Sequence, residues 1–271
     1  MSFLPVKESI VFSPEFFIEL DRFRNVMFRE DIHKYFIDGV QCPLSTTGLI
    51  GKFYEHFNEE YWSEKKAEDY CVDRESVLRV WKYLNKHAIT EGKTLHSFAE
   101  LMMNSKIYAY PETDIREQFE GIDPIRSSYL MMQEQFTRFH RDIKGKLIPI
   151  KSELVIGDPE WMLGGMIDQI FWNTTAKEIQ IWDWKTNTKL ERQSDRKMLY
   201  PIDYVPDCNL YHYYLQLTIY KYIIERNTRI KIGKMYIVWF NERNADYQII
   251  PIVELREEVQ KMIDYEILKK Y

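Results

Sequence analysis

The apolar positions change their rhythm about halfway along the chain. Up to about residue 146 they recur at helical spacing. Ser13-Pro14 reads as a helix start, with serine as cap and proline in the first turn. Helices are expected at 74–90, 93–104 and 123–143, and the last carries Ile125, Tyr129, Met132, Phe136 and Phe139 on one stripe. Ser45, Thr46 or Thr47 caps a helix running towards His56, and residues 31–41 read as a short hairpin turning at Asp38-Gly39. From residue 147 the pattern becomes β-like. Leu147–Ile156, Met162–Asn173 and Glu178–Thr186 are rich in Ile, Val and Trp and are divided by Gly157-Asp158-Pro159 and Asn173-Thr-Thr. Residues 187–207 read as a loop. A helix (Tyr211–Arg226), two strands (Lys234–Phe240 and Tyr247–Val253) and a closing helix (Leu255–Lys269) follow. That order predicts an α/β protein: a mixed central sheet flanked by helices, with a helical N-terminal addition.

Composition narrows this little. In 271 residues, 45% are hydrophobic and 15% aromatic, enough for a substantial core. With no repeat and no Gly/Ser linker, a single domain over 1–271 is expected, split into a mainly helical part (1–146) and a core (147–271). No apolar run approaches the roughly 20 residues a bilayer requires, and the N-terminus lacks a basic segment followed by an apolar stretch. Cys42, Cys71 and Cys208 lie far apart, which argues against a disulfide framework and for a reducing, intracellular compartment. The net charge of −5 speaks against binding nucleic acid mainly through a broad basic surface. It leaves room for a site whose carboxylates hold a cation, because a bound cation reverses the local sign.

Candidate chemistry starts at Asp183-Trp184-Lys185. On a strand, residues two apart point the same way, so Asp183 and Lys185 share a face while Trp182 and Trp184 pack on the other. A carboxylate suits a hard divalent cation, and an adjacent lysine can orient water. Acid-x-Lys triplets also occur at Glu64-Lys66, Glu91-Lys93, Asp142-Lys144 and Asp195-Lys197. Only Asp183 follows a run as apolar as Ile179-Gln-Ile-Trp182. The preceding strand carries its own carboxylate, Asp168, among apolar neighbours. Two buried acids on adjacent strands repel unless something cationic lies between them. A buried salt bridge to Lys185 is the bland alternative to a metal site. Two further elements are ambiguous alone. His96 and Glu100 share a helical face, and Gln216 and Tyr220, four apart on a later helix, both suit phosphate oxygens.

In chain order, His96, Gly165-Met-Ile-Asp168, Asp183-Trp-Lys-Thr186 and Gln216-x-x-x-Tyr220 resemble the RecB-like branch of the PD-(D/E)XK nuclease superfamily. That branch includes recombination exonucleases, CRISPR adaptation nucleases and the mitochondrial genome maintenance exonuclease. His33–Gly39 followed by Pro43–Thr47 is similar to the entry region of some members. The resemblance implies a restriction-endonuclease-like core and hydrolysis of phosphodiester bonds with Mg²⁺ or Mn²⁺. It implies a metal set of His96, Asp168, Asp183 and the Trp184 carbonyl, with Lys185 as catalytic lysine. Gln216 and Tyr220 support that lysine and the substrate phosphate, and Glu153 corresponds loosely to a further acidic position. The expected substrate is DNA, single-stranded or with free ends, cut by an exonuclease in repair or recombination. No membrane and no small-molecule cofactor are expected. Three dispersed cysteines cannot reproduce the four-cysteine iron–sulfur site of several relatives. An RNA-cleaving endonuclease of the same fold and a non-catalytic interaction module are the competing readings.

Overall fold

The computed structural model describes residues 13–104 and 127–269. The expected helix start at 123–126, with Ile125, lies outside the described residues. Helices α1 (Pro14–Leu20), α2 (Thr46–Ile50), α3 (Glu59–Tyr70), α4 (Arg74–Met103), α5 (Ser127–Ile143), α6 (Asn209–Asn227) and α7 (Arg256–Glu266) surround the sheets. A small antiparallel sheet holds β1 (Val26–Arg29), β2 (Lys34–Ile37) and β3 (Val40–Gln41). The main sheet is mixed: β4 (Leu44–Ser45), β6 (Leu163–Asn173), β7 (Glu178–Lys185), β8 (Ile232–Trp239) and β9 (Gln248–Pro251) in that order, with β5 (Leu147–Asp158) also paired to β6. The fold class is as the sequence predicts.

Ser13 caps α1 by accepting from the Phe16 N–H, and Pro14 sits in its first turn. Ser45 is the one of the three candidates that caps α2, accepting from Gly48 N–H. That helix ends in a 3₁₀ turn over Gly51–Phe53, short of His56. Three findings differ from the sequence reading. Residues 74–103 form one 30-residue helix rather than two. Gly92 sits inside it, where a Cβ would come within 3.3 Å of Thr186 Oγ1, so the glycine lets α4 approach the end of β7 closely. Helix α3 is not foreshadowed because it buries only Ser63 and carries no apolar stripe. Strand β4 is two residues long, too short for any periodicity, yet it brings the N-terminal part into the main sheet.

Two cores form. Leu95, Phe98, Phe136, Phe139, Phe171, Trp182, Trp184 and Phe240 pack under α4 and α5. The larger core gathers Ile167, Ile170, Ile179, Ile181, Ile237 and the buried faces of α6 and α7. Trp182 and Trp184 therefore lie in the aromatic core, as their alternation with Asp183 and Lys185 predicts. No helix among the described residues is long and apolar enough to cross a membrane.

Candidate active site

The central geometry is a fork between two strands. The β6–β7 ladder runs from Asn173↔Glu178 to Gln169↔Trp182. At the other end of β6, Leu163 and Gly164 pair with β4 instead. β7 meanwhile stays paired with β8 as far as Lys185↔Trp239. Beyond Gln169 the two strands therefore part. There the Asp168 carboxylate takes over from a backbone partner, accepting from the Trp184 N–H through Oδ2 at 2.7 Å.

Three carboxylates cross the sheet at this level. Ser152↔Gln169 and Leu154↔Ile167 place Glu153 beside Asp168, and Asp183 is the first β7 residue past Trp182, where the β6–β7 ladder ends. Glu153 has φ 47°, a left-handed conformation uncommon for a residue with a side chain. Its Oε1 is buried and without a hydrogen-bond partner among the described residues. Helix α4 brings His96 to the same place: Nδ1 lies 3.6 Å from Asp168 Oδ1 and 3.9 Å from Glu153 Oε1. His96 Nε2 is 3.2 Å from the Trp184 carbonyl oxygen. Ligand atoms of His96, Glu153 and Asp168 all fall within 4.8 Å of one another. Oxygen and imidazole donors so arranged, one of them orphaned and buried, fit a divalent cation.

On the other side of the fork stands a polar chain. Lys185 Nζ lies 2.5 Å from Asp183 Oδ2 and donates to Gln216 Oε1 at 3.3 Å. Gln216 Nε2 donates to the Tyr220 hydroxyl at 2.8 Å. The Tyr213 ring packs 4.5 Å from Lys185 Nζ. Tyr220 reaches this position because Gly165 has no side chain: a Cβ there would fall 2.6 Å from the Tyr220 ring and 2.6 Å from Thr46 Oγ1.

Electrostatics match the crowding. Burial first, then Asp168, Glu100 and Asp183, push the Glu153 carboxyl up to about 9. Burial and Asp183 push Asp168 up to about 6, against His96, Lys185 and the Trp184 N–H, which pull it down. Burial works to lower the Lys185 ammonium, but Asp183, Tyr213 and Asp168 outweigh it and hold it above the ordinary lysine range. Burial and neighbouring acids hold the Tyr220 phenol well above its usual value, so it stays protonated.

The residues singled out in the sequence fall into two groups. His96, Asp168 and the Trp184 carbonyl lie together. Asp183, Lys185, Gln216 and Tyr220 form the polar chain, with Asp183 paired to Lys185 rather than among the close His96, Glu153 and Asp168 ligand atoms. Glu153, held loosely there, lies within the acidic row. Two neighbours went unrecognised. Tyr213 was one of five tyrosines crowding a single helix. Tyr35 is half-buried near Asp168 and Glu153, and burial first, then those two acids, raises its phenol. Nothing in a four-residue strand distinguishes Tyr35 from a packing aromatic.

Comparison with known proteins points the same way as the fork. No curated protein matches the chain. A solved structure described as "Crystal structure of SSO0001" aligns at 14% identity over 66% of this chain and 88% of that one, with a TM-score of 0.28, too low to carry an argument. The sequence profile of the PD-(D/E)XK nuclease superfamily matches residues 79–267, a span that runs from α4 to α7 and contains His96 and the whole fork. The chain belongs to the PD-(D/E)XK nuclease superfamily.

Proposed function

We propose that this chain is a cation-dependent deoxyribonuclease of the RecB-like type, acting on single-stranded or free-ended DNA from the β6–β7 fork. The observation that carries it is the row Glu153–Asp168–Asp183, crowded and buried with His96 on one side and Lys185 on the other. A purely structural ion pair needs one carboxylate beside Lys185. Here two more, with a histidine, surround the same space. Such a like-charge cluster is costly without a cation between its members.

In this reading His96, Asp168, Asp183 and the Trp184 carbonyl, joined by Glu153, would hold Mg²⁺ or Mn²⁺. A divalent cation in that position supplies Lewis-acid stabilisation of charge on the phosphate oxygens. The chain's own groups do the rest. Lys185, kept protonated by Asp183, orients the attacking water and offsets negative charge as the phosphorus centre becomes more crowded. Gln216 Oε1 accepts from Lys185 and helps to fix it beside Asp183. It also donates to the Tyr220 oxygen, which leaves Tyr220's own proton free for a phosphate oxygen. Water forms the new bond to phosphorus, the bond to the leaving oxygen breaks, and that oxygen takes up a proton. The water gives one up to solvent. DNA as substrate, and action from free ends, rest on the resemblance of the four motifs in chain order.

A time course on end-labelled single- and double-stranded DNA, and RNA of equal length, tests this with Mg²⁺, Mn²⁺ or EDTA. Wild type should shorten DNA progressively from an end with either cation and not in EDTA, and Lys185→Ala should not. Cleavage in EDTA, or wild-type cleavage by Lys185→Ala, contradicts the mechanism. Preferential internal cleavage of RNA contradicts the substrate assignment.

A further inference from the structure

One residue along α6 from the tyrosine that packs on Lys185, the chain builds a second, aromatic cavity. His212 precedes Tyr213, and its ring stacks on Tyr54 with centroids 4.6 Å apart and planes 18° from parallel. His212 Nε2 donates to Asp207 Oδ1 at 2.9 Å, which fixes the ring's orientation. These groups, with Phe57, Trp62 and Arg196, line a cavity of about 430 Å³. Phe57 is 64% and Trp62 38% exposed, large fractions for aromatic side chains. Phe57 meets Trp81 edge-on at 5.5 Å, which props it against the helix behind. Burial holds His212 below the ordinary imidazole range, against the Asp207 carboxylate, and the nearby Arg196 charge lowers it further. The imidazole is therefore neutral and offers a flat stacking face. Arg196 is exposed, and its guanidinium makes no ion pair among the described residues.

Resting on the nuclease reading above, we infer that this cavity receives one unpaired nucleobase of the strand whose phosphate lies at the fork. Its chemistry discriminates among occupants. For a phosphate, the Asp207 and Glu55 carboxylates in the lining offset the attraction of Arg196, so the site offers it no net positive charge. A nucleobase has two π faces for Phe57, Trp62 and the Tyr54–His212 stack, and edge donors for the carboxylates. The volume falls within the range of small-ligand sites and is too small for a base pair flanked by its own stack. Only a base already out of the duplex can enter, so the cavity selects frayed or single-stranded ends. It also sets the register between the base it holds and the bond that breaks.

Short single-stranded oligodeoxynucleotides carrying one 2-aminopurine, moved position by position, test this with Mn²⁺ in the Lys185→Ala background, where the strand stays whole. Quenching should appear at one position and vanish when Phe57→Ala is added, with Trp62→Ala as an independent second variant. On protein with Lys185 present, Phe57→Ala should raise KM about tenfold for the intact strand. It should add nothing for a strand made abasic at the quenched position. Both aromatic side chains are exposed, and unchanged melting temperatures separate loss of stacking from loss of fold. Lys185-dependent cleavage with quenching spread evenly along the strand, or untouched by both variants, overturns the cavity assignment alone. Absence of Lys185-dependent cleavage overturns the nuclease reading and the cavity with it.

Discussion

The paired and the splayed halves of β6 and β7 obey different rules. In the paired half, Gln169–Asn173 and Glu178–Trp182 satisfy each other's backbone groups, and Ile170, Phe171, Ile179 and Ile181 are all buried. In the splayed half a side chain replaces the ladder, and Asp168, Asp183 and Lys185 stand where apolar residues would be cheaper. Burial stabilises the first half; the second is a local cost that the first makes possible. Removing a repelling carboxylate from the splayed half should therefore cost activity and gain stability, whereas removing packing from the paired half should cost stability.

The largest effect expected is on catalysis. Lys185→Ala should lower kcat by about a thousandfold or more, since a donor aimed at developing charge is removed. Its melting temperature in EDTA should also fall, because Asp183, 2% exposed, loses its partner. Divalent cation should restore part of that loss. In the paired half, Phe171→Ala should cost about 3–4 kcal/mol in denaturant unfolding, with the same cost in EDTA and in Mn²⁺. A cation-dependent cost there would show that the halves are not separate.

Asp168→Asn sharpens the contrast, because an inactivating change should stabilise. The amide oxygen still accepts from Trp184 N–H, while the burial and repulsion that raise the carboxyl to about 6 disappear. Metal-free protein at pH 8 should gain about 1–3 kcal/mol, the upper end of what a shift of that size represents. The pH dependence of wild type carries the same sign. Asp168 and Glu153 both titrate above their ordinary values of 3.8 and 4.5. The stability they contribute is present in acid and is lost as pH rises through about 6 for Asp168 and about 9 for Glu153. Thermal melts of the EDTA-treated protein from pH 5 to 9 should show that decline, and Asp168→Asn should flatten its lower part. The smallest effect concerns shape. Gly165→Ala should push Tyr220 aside at a cost of about 1–3 kcal/mol, with activity reduced further than the stability change explains.

Regular elements were legible where the chain repeats itself. Strands β5 to β7 and helices α5 and α6 carry strong period-two or helical patterns, and their bounds differ from expectation by a few residues. Asp183 and Lys185 were legible for the opposite reason: charge interrupts an otherwise buried strand. Glu153 was harder to weigh, since only the β5–β6 register shows it beside Asp168. Helix α3 escaped because Ser63 is its one fully buried residue, so it carries no apolar stripe. The unity of α4 escaped because Gly92 reads as a break, whereas its lack of a Cβ serves the approach to Thr186. Tyr35 and Tyr213 became meaningful only when the chain folded back on itself.

The central claim is that the splayed half holds a cation among His96, Glu153, Asp168 and Asp183. Titration of Mn²⁺ into the protein, followed by loss of the free-ion electron paramagnetic resonance signal, tests it most directly. Wild type should bind Mn²⁺ saturably and more tightly at pH 8 than at pH 6, because protons on Asp168 and Glu153 compete with the ion. Asp168→Asn should bind far more weakly at both. Equal binding by the two proteins, or none by wild type, would contradict the account.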